Sequence, residues 1–336
     1  MQHPSRSGGS RPLRDPRAPR SGPPDWATVM GMASLPHARV LVIGASGLVG
    51  GAFHARLART GVSLVGTSHA NPRAGLVPFT LGPDTRAFLD AQAPDLVILA
   101  SAMTHVDRCE QEPEEAWRRN VTEVQTVRDW CMAQGAGLIY FSTDYVFDGA
   151  AGPYDEQALV RPINVYGRSK LAAEALVAAL PTGLTIRITN VFDIGFEDRN
   201  FVHRCVTHLR DRKPLVVPSD QWATPAYATA LADQTVTLLE RGAILREGAP
   251  RLLHAACDDL VSRGELARRV AARLGADASL IDERPTAGLG QAAPRPLRGG
   301  LRNDHWKRLL GVERLPLDDA LDDCLPRMRR LYDESH

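Results

Sequence analysis

Tyr166 and Lys170 stand four residues apart in Tyr-Gly-Arg-Ser-Lys, the interval that stacks two side chains on one face of a helix. Of the 40 basic residues in the chain only three are lysine, which leaves 37 arginines. Where any cation serves, this composition supplies arginine, so Lys170 is expected to do something a guanidinium cannot. A compact ammonium beside a phenol can draw the phenol pKa down from about 10 toward neutrality and make Tyr166 a usable proton donor. As a bare exposed helix pair the two would be worth only a few tenths of a kcal/mol.

A second cluster favours the chemical reading. The apolar run Val40–Ile43 feeds directly into Gly44-x-x-Gly47-x-x-Gly50, which reads as strand, tight turn and helix start. Glycines let backbone approach a pyrophosphate closely, and the free N–H groups and positive dipole of the helix start bind the anion. A strand-like Leu64-Val65-Gly66-Thr67 follows about one βαβ step later, the context such a turn requires. Beyond it stand Thr67, Ser68, His69 and Arg73, with no carboxylate to hold a ribose 2′-hydroxyl or to repel a 2′-phosphate. The expected cofactor is therefore NADPH, with NADH as the alternative. Its expected contacts on these segments are Gly44, Ser46, Gly47, Leu48, Thr67, Ser68 and Arg73.

Composition sets the bounds. At 336 residues, 44% hydrophobic and 24% charged, the chain can bury a large core. A formal net charge of +1, with arginines dispersed among acids, leaves no electrostatic footprint for nucleic acid. No run approaches the eighteen apolar residues of a membrane span. Cys109, Cys131, Cys205, Cys257 and Cys324 are scattered without a CxxC, which suits a reducing cytoplasm and argues against a disulfide frame or a zinc site. His203 and His208 miss the i, i+4 spacing of paired metal ligands, and no metal is expected.

Residues 1–36 set Arg6, Arg11, Arg14, Arg17 and Arg20 among Pro, Ser and Gly, a composition expected to form a disordered basic tail. Translation beginning at Met30 or Met32 is the alternative. From Arg39 the pattern alternates strands at 39–43, 63–67, 95–100, 137–142 and 184–189 with helices at 47–60, 84–92, 112–134 and 164–180. This predicts an α/β fold, a Rossmann-like doubly wound parallel sheet. Right-handed crossovers would bring Gly44, Ser101 and Thr143 to one sheet edge, where ligands bind. After residue 190 strand signals thin, and helices are expected at 199–211, 227–242, 262–274 and 316–332. The expected division is a nucleotide-binding domain at 37–190 and a smaller, interleaved substrate-binding region at 191–336, with 226–260 returning to the first.

The glycine turn and Tyr-x-x-x-Lys, about 120 residues apart, resemble the extended short-chain dehydrogenases/reductases. Ser101–Glu110, Pro113–Ala116, Asn120-Val121, Phe141–Gly149, Val217–Pro225 and Arg295-Pro296 more narrowly resemble the dTDP-4-dehydrorhamnose reductase family, over about residues 39–325. The resemblance implies Thr143, Tyr166 and Lys170 as the catalytic set: Tyr166 donates a proton, Lys170 lowers its pKa and holds the nicotinamide ribose, and Thr143 holds the carbonyl oxygen. It adds Ala100, Ser101, Ala102, Tyr166 and Lys170 to the cofactor contacts. For the substrate it implies Thr104, Asp144, Asn190, Asn200, Gln221 and Arg295. Asp144 has the alternative role of a loop cap, and Arg187 that of a buried ion-pair partner.

The implied activity is NADPH-dependent reduction of a nucleotide-activated 4-keto-6-deoxy sugar, with dTDP-L-rhamnose formation as the leading case and a homodimer as an allowed assembly. A regulatory subunit similar to the β subunit of methionine adenosyltransferase, and a sugar-nucleotide epimerase, are the alternatives. Three features depart from the family pattern: Pro225-Ala226 where Pro-Thr is usual, Gly299-Gly300 where a polar residue is common, and Leu48-Val49-Gly50 in the glycine turn. Tyr145 stands where related dehydratases carry a Glu.

Overall fold

The computed structural model describes residues 38–69, 72–194 and 200–334. The expected tail at 1–36 lies outside them. Strand β1 (Arg39–Ile43) alternates its side chains between two cores, as a strand buried on both faces must. Val40 and Val42 pack with Phe53, Ile98, Ile139 and Leu231, while Leu41 and Ile43 pack with Leu89, Val97, Val127 and Val177. Those partners come from β4 (Leu96–Leu99), β5 (Gly137–Thr143) and the helices covering each face. On one face lie α1 (Leu48–Leu57) and α8 (Ala228–Glu240). On the other lie α2 (Thr85–Gln92), α5 (Glu123–Gln134) and α6 (Val165–Ala178).

With β2 (Ser63–Ser68), β3 (Val77–Pro78), β6 (Gly183–Ile188) and β9 (Leu252–His254), the seven strands run β3-β2-β1-β4-β5-β6-β9, every pairing parallel. This is the doubly wound order, and its direction reverses between β1 and β4, the switch point at which such sheets bind ligands. The edge strand β3 tolerates Pro78 because an edge need not donate outward.

Residues beyond 190 build a second core. Val202, Leu209, Leu215, Val217, Leu266, Val270 and Leu321 pack together from α7 (Phe201–Arg210), β7 (Leu215–Pro218), α9 (Arg263–Leu274) and α11 (Leu317–Glu334). Here β7 pairs with β11 (Ile281–Arg284), and β8 (Trp222–Ala223) with β10 (Val261–Ser262). These strands of two to four residues are too short to register a period-2 pattern in sequence. The helix expected over 112–134 is also subdivided. After α3 (Val106–Gln111) come α4 (Pro113–Trp117) and a π-helical turn, Arg118–Thr122, before α5.

Candidate active site

At the switch point the glycine turn leaves β1 with Gly44 at φ +89°, and a Cβ there would stand 3.0 Å from the Ala100 carbonyl carbon. At Gly50 a Cβ would stand 2.2 Å from the Gly44 oxygen, so the helix can lie against its own turn only without one. Thr67 is buried and braces this turn, its Oγ1 accepting from the Gly44 N–H at 3.1 Å. Leu48 opens α1 and Ala100, Ser101 and Ala102 follow β4, half-buried, across the turn. Ser68 ends β2 with its Oγ buried and without a hydrogen-bond partner among the described residues. Arg73 is exposed just beyond. A tight backbone cradle, an unsatisfied hydroxyl at the end of the second strand and a nearby guanidinium are groups that fit a phosphorylated dinucleotide.

Thr143 is the last residue of β5, and its hydroxyl is hydrogen-bonded to that of Tyr166 in the first turn of α6. That helix starts here because Asn164 caps it, Oδ1 accepting from the Gly167 N–H at 2.8 Å while Nδ2 donates to the Pro294 carbonyl at 2.9 Å. One turn on, the Lys170 Nζ donates to the Phe141 carbonyl at 2.7 Å and lies 4.1 Å from the centre of the Tyr140 ring. Burial pushes Lys170 down to about 7, with Glu174 and Cys109 acting the other way.

The expectation that Lys170 lowers the Tyr166 pKa is corrected here. Burial pushes the Tyr166 phenol up, outweighing the Thr143 hydrogen bond, and the Lys170 ammonium faces a carbonyl and another ring. Tyr166 is thereby held as the neutral phenol, the form that has a proton to give.

The π-helical turn delivers a residue whose role sequence reasoning missed. Buried Asn120 accepts from the Met103 N–H at 2.8 Å and donates to the Met103 carbonyl at 3.0 Å and to Ser169 Oγ at 3.0 Å. It ties the loop after β4, including exposed Thr104, to the helix of Tyr166 and Lys170. Its signal was a polar residue on a helix face that is otherwise buried.

Several residues expected to touch substrate also bond within the protein. Asp144 accepts from the Gly300 N–H at 3.1 Å and from the Thr143 and Thr189 hydroxyls, and burial raises its pKa. A Cβ at Gly299 would come within 2.7 Å of its carboxylate, so Gly299-Gly300 is what lets the chain close over Asp144. Arg295 pairs with Asp107 at 2.7 Å and donates to the Ala293 carbonyl at 2.7 Å. Asn200 caps α7 through the His203 N–H at 2.7 Å and donates to the Asp193 carbonyl at 2.9 Å, which takes both ends of its amide. Half-buried Gln221 donates to Thr286 at 3.0 Å and Gln291 at 3.1 Å, and half-buried Asn190 accepts from Arg263. Arg187 is the buried ion-pair partner of Glu174, at 2.7 Å. Among the described residues, no group of three His, Cys, Asp or Glu side chains could hold a metal, and no helix is long and apolar enough to cross a membrane.

The strand order, with a glycine turn at its switch point and hydroxyl and amine groups gathered at the end of β5, defines a Rossmann-type oxidoreductase scaffold of the short-chain class. Residues 38–330 match the family described as RmlD substrate binding domain, and the chain belongs to that family. A dTDP-4-dehydrorhamnose reductase of Streptomyces griseus is 33% identical over 282 residues, spanning 82% of this chain and 89% of that protein. The crystal structure of a hypothetical dTDP-4-dehydrorhamnose reductase from Sulfolobus tokodaii superposes with a TM-score of 0.75 at 29% identity, covering 84% of this chain and 98% of the other. The Bacillus anthracis dTDP-4-dehydrorhamnose reductase, solved in complex with NADP, shares the fold with a TM-score of 0.75 at 24% identity, over 87% and 99% of the two chains.

Proposed function

We propose that the protein is an NADPH-dependent reductase of a nucleotide-activated 4-keto-6-deoxy sugar, with dTDP-4-dehydrorhamnose to dTDP-L-rhamnose as the leading reaction. The observation that carries this reading is the Thr143–Tyr166 hydroxyl pair beside Lys170, at the strand ends next to the glycine turn. Gly44, Ser46, Gly47, Leu48, Ser68, Arg73 and the 100–102 segment would hold the cofactor, and Thr67 would keep the turn in shape. When bound, the reduced nicotinamide supplies the hydride. Thr143 then orients the substrate carbonyl oxygen, and Tyr166, kept neutral by burial, gives it the proton. Lys170, with a pKa near 7, would present its ammonium to the nicotinamide ribose. The five cysteines are all free and buried, which supports a reducing compartment.

The test is loss of reduced-nicotinamide absorbance when the full chain meets NADPH or NADH and enzymatically prepared dTDP-4-keto-6-deoxy sugar. Stoichiometric oxidation is the expected result. Tyr166→Phe should retain cofactor binding and lose about 10²-fold or more in turnover, and Lys170→Arg should fail as well. Tight cofactor binding without oxidation of any keto sugar would overturn the reductase reading.

A further inference from the structure

Two helices begin side by side in the substrate-side region. Phe201 is the first residue of α7 and Arg263 the first of α9, and the two helices pack against each other. The Arg263 guanidinium lies 4.6 Å from the centre of the Phe201 ring, and the Arg204 guanidinium 5.4 Å from the same centre. Two like charges thus share one aromatic ring at the positive ends of two helix dipoles. Arg263 is half-buried and donates to Asn190 Oδ1, a side chain on a backbone held at φ +44°.

Among the described residues, neither Arg263 nor Arg204 forms an ion pair with a carboxylate, whereas Arg187, Arg269, Arg273 and Arg295 all do. The field of Asp144 reaches Arg263, but the Asp144 carboxylate is already occupied by Gly300, Thr189 and Thr143. Arg204 acts on Arg263 by repulsion. Concentrated positive charge with no carboxylate in contact among the described residues is stabilised by an anion that brings several oxygens at once. The planar fork of a guanidinium matches phosphate oxygens in pairs.

The cluster is wired to the candidate active site. Arg263 donates its backbone N–H to the Gln221 carbonyl at 3.1 Å, and Asn190 follows Thr189, whose hydroxyl bonds Asp144 next to Thr143. The glycine turn has its own means of holding a diphosphate. We infer that Arg263, supported by Arg204 and Phe201, is the binding site for the diphosphate group of the nucleotide-activated substrate. This assignment rests on the reductase reading for its substrate class, and on the two guanidiniums for its chemistry.

Calorimetric titration of the full chain with inorganic diphosphate and with thymidine 5′-diphosphate tests it. Arg263→Met is expected to weaken both ligands by at least about tenfold, the scale of a lost charge-assisted hydrogen bond, while NADPH affinity stays within about twofold. Arg263→Lys keeps the charge and should fall between wild type and Arg263→Met. Exposed Arg204→Gln should weaken thymidine 5′-diphosphate by about two- to fivefold. Unchanged thymidine diphosphate affinity in Arg263→Met and Arg204→Gln would overturn the assignment, and so would a loss confined to NADPH. If Arg263→Met does not fold, Arg263→Lys and Arg204→Gln decide by the same criteria. Turnover separates the two readings. Arg263-dependent diphosphate binding without any reductase activity would sink the reductase reading and leave the anion site. Reductase activity with a wild-type KM in Arg263→Met would do the reverse.

Discussion

Beneath the face that carries Tyr166 and Lys170, Glu174 and Arg187 form a bidentate ion pair, with contacts of 2.8 and 2.7 Å between side chains that are 9% and 3% exposed. Arg187 also meets His254 Nε2 at 3.2 Å, and its guanidinium lies 5.1 Å from the centre of the Phe147 ring. Arg187→Met removes the cation, keeps most of the stem and leaves a carboxylate buried one turn below Lys170. Breaking a buried pair from one side costs about 3–5 kcal/mol, because the remaining charge has lost both water and partner. Glu174→Gln should be costly for the same reason. The double variant, with no stranded charge, should be more stable than the two single costs predict by about 1–3 kcal/mol.

The cost should also depend on pH. Burial first, and then Arg187, push His254 down to about 3, so folded His254 stays neutral while unfolded His254 takes a proton near its ordinary 6.5. Stability from this group is present above pH 6.5 and is lost as the pH falls toward 3. Removing Arg187 relieves part of that depression. The Arg187→Met penalty should therefore be smaller near pH 5 than near pH 8. Urea unfolding of the four proteins at both values measures it. Additive single costs together with a pH-independent penalty would refute the reasoning.

Three further outcomes follow from burial. Folded Lys170 sheds its proton near 7 while the unfolded chain keeps it to about 10.5, so wild-type stability relative to Lys170→Met should rise with pH across that window, by up to about 5 kcal/mol. A flat difference in unfolding free energy between pH 7 and pH 9.5 would contradict this. Burial pushes Cys109 up to about 11 and Cys131, Cys205 and Cys257 up to about 12 from an ordinary 9.0, so their contribution is intact below pH 9 and lost above it. The slope is up to about 1.4 kcal/mol per pH unit for each thiol, and an alkaline urea titration of wild type beside Cys205→Ala reads it. Gly299→Ala places a Cβ 2.7 Å from the Asp144 carboxylate and should cost about 1–3 kcal/mol, with a loss in kcat/KM. Pairing it with Asp144→Ala should remove the steric part of that cost, and failure of this rescue in thermal melts would show that the clash is not with Asp144.

What the sequence made legible follows the physics of each signal. The parallel strands announced themselves because burial on both faces demands continuous apolar runs, as in Leu96–Leu99 and Gly137–Thr143. The glycine turn was readable because the absence of a side chain is itself the device. Strands of two residues such as Trp222–Ala223 carry no period, and the π-helical turn at Arg118–Thr122 differs from an α-helix by hydrogen bonding that composition does not encode. The roles of Asp144, Arg295 and Asn200 depended on which partner reached them first. Gly300 and Asp107 are fixed by tertiary approach across more than 150 residues of chain, while Asp193 meets Asn200 from only seven residues away.

Those engagements bear on which chemistry the cleft can support. Elimination of water from a sugar needs an acid and a base free to exchange protons with the substrate. Asp144, the carboxylate adjoining Thr143, is 3% exposed and holds the 299–300 segment in place through Gly300. Burial raises the pKa of the neighbouring Tyr145 phenol, which removes it as a base near neutrality. A neutral phenol on Tyr166 and the Thr143 hydroxyl remain, the groups that under the proposed function would polarise and protonate a carbonyl oxygen, and they supply no base for an elimination. The site therefore favours reduction over dehydration because its nearest carboxylate is part of the wall.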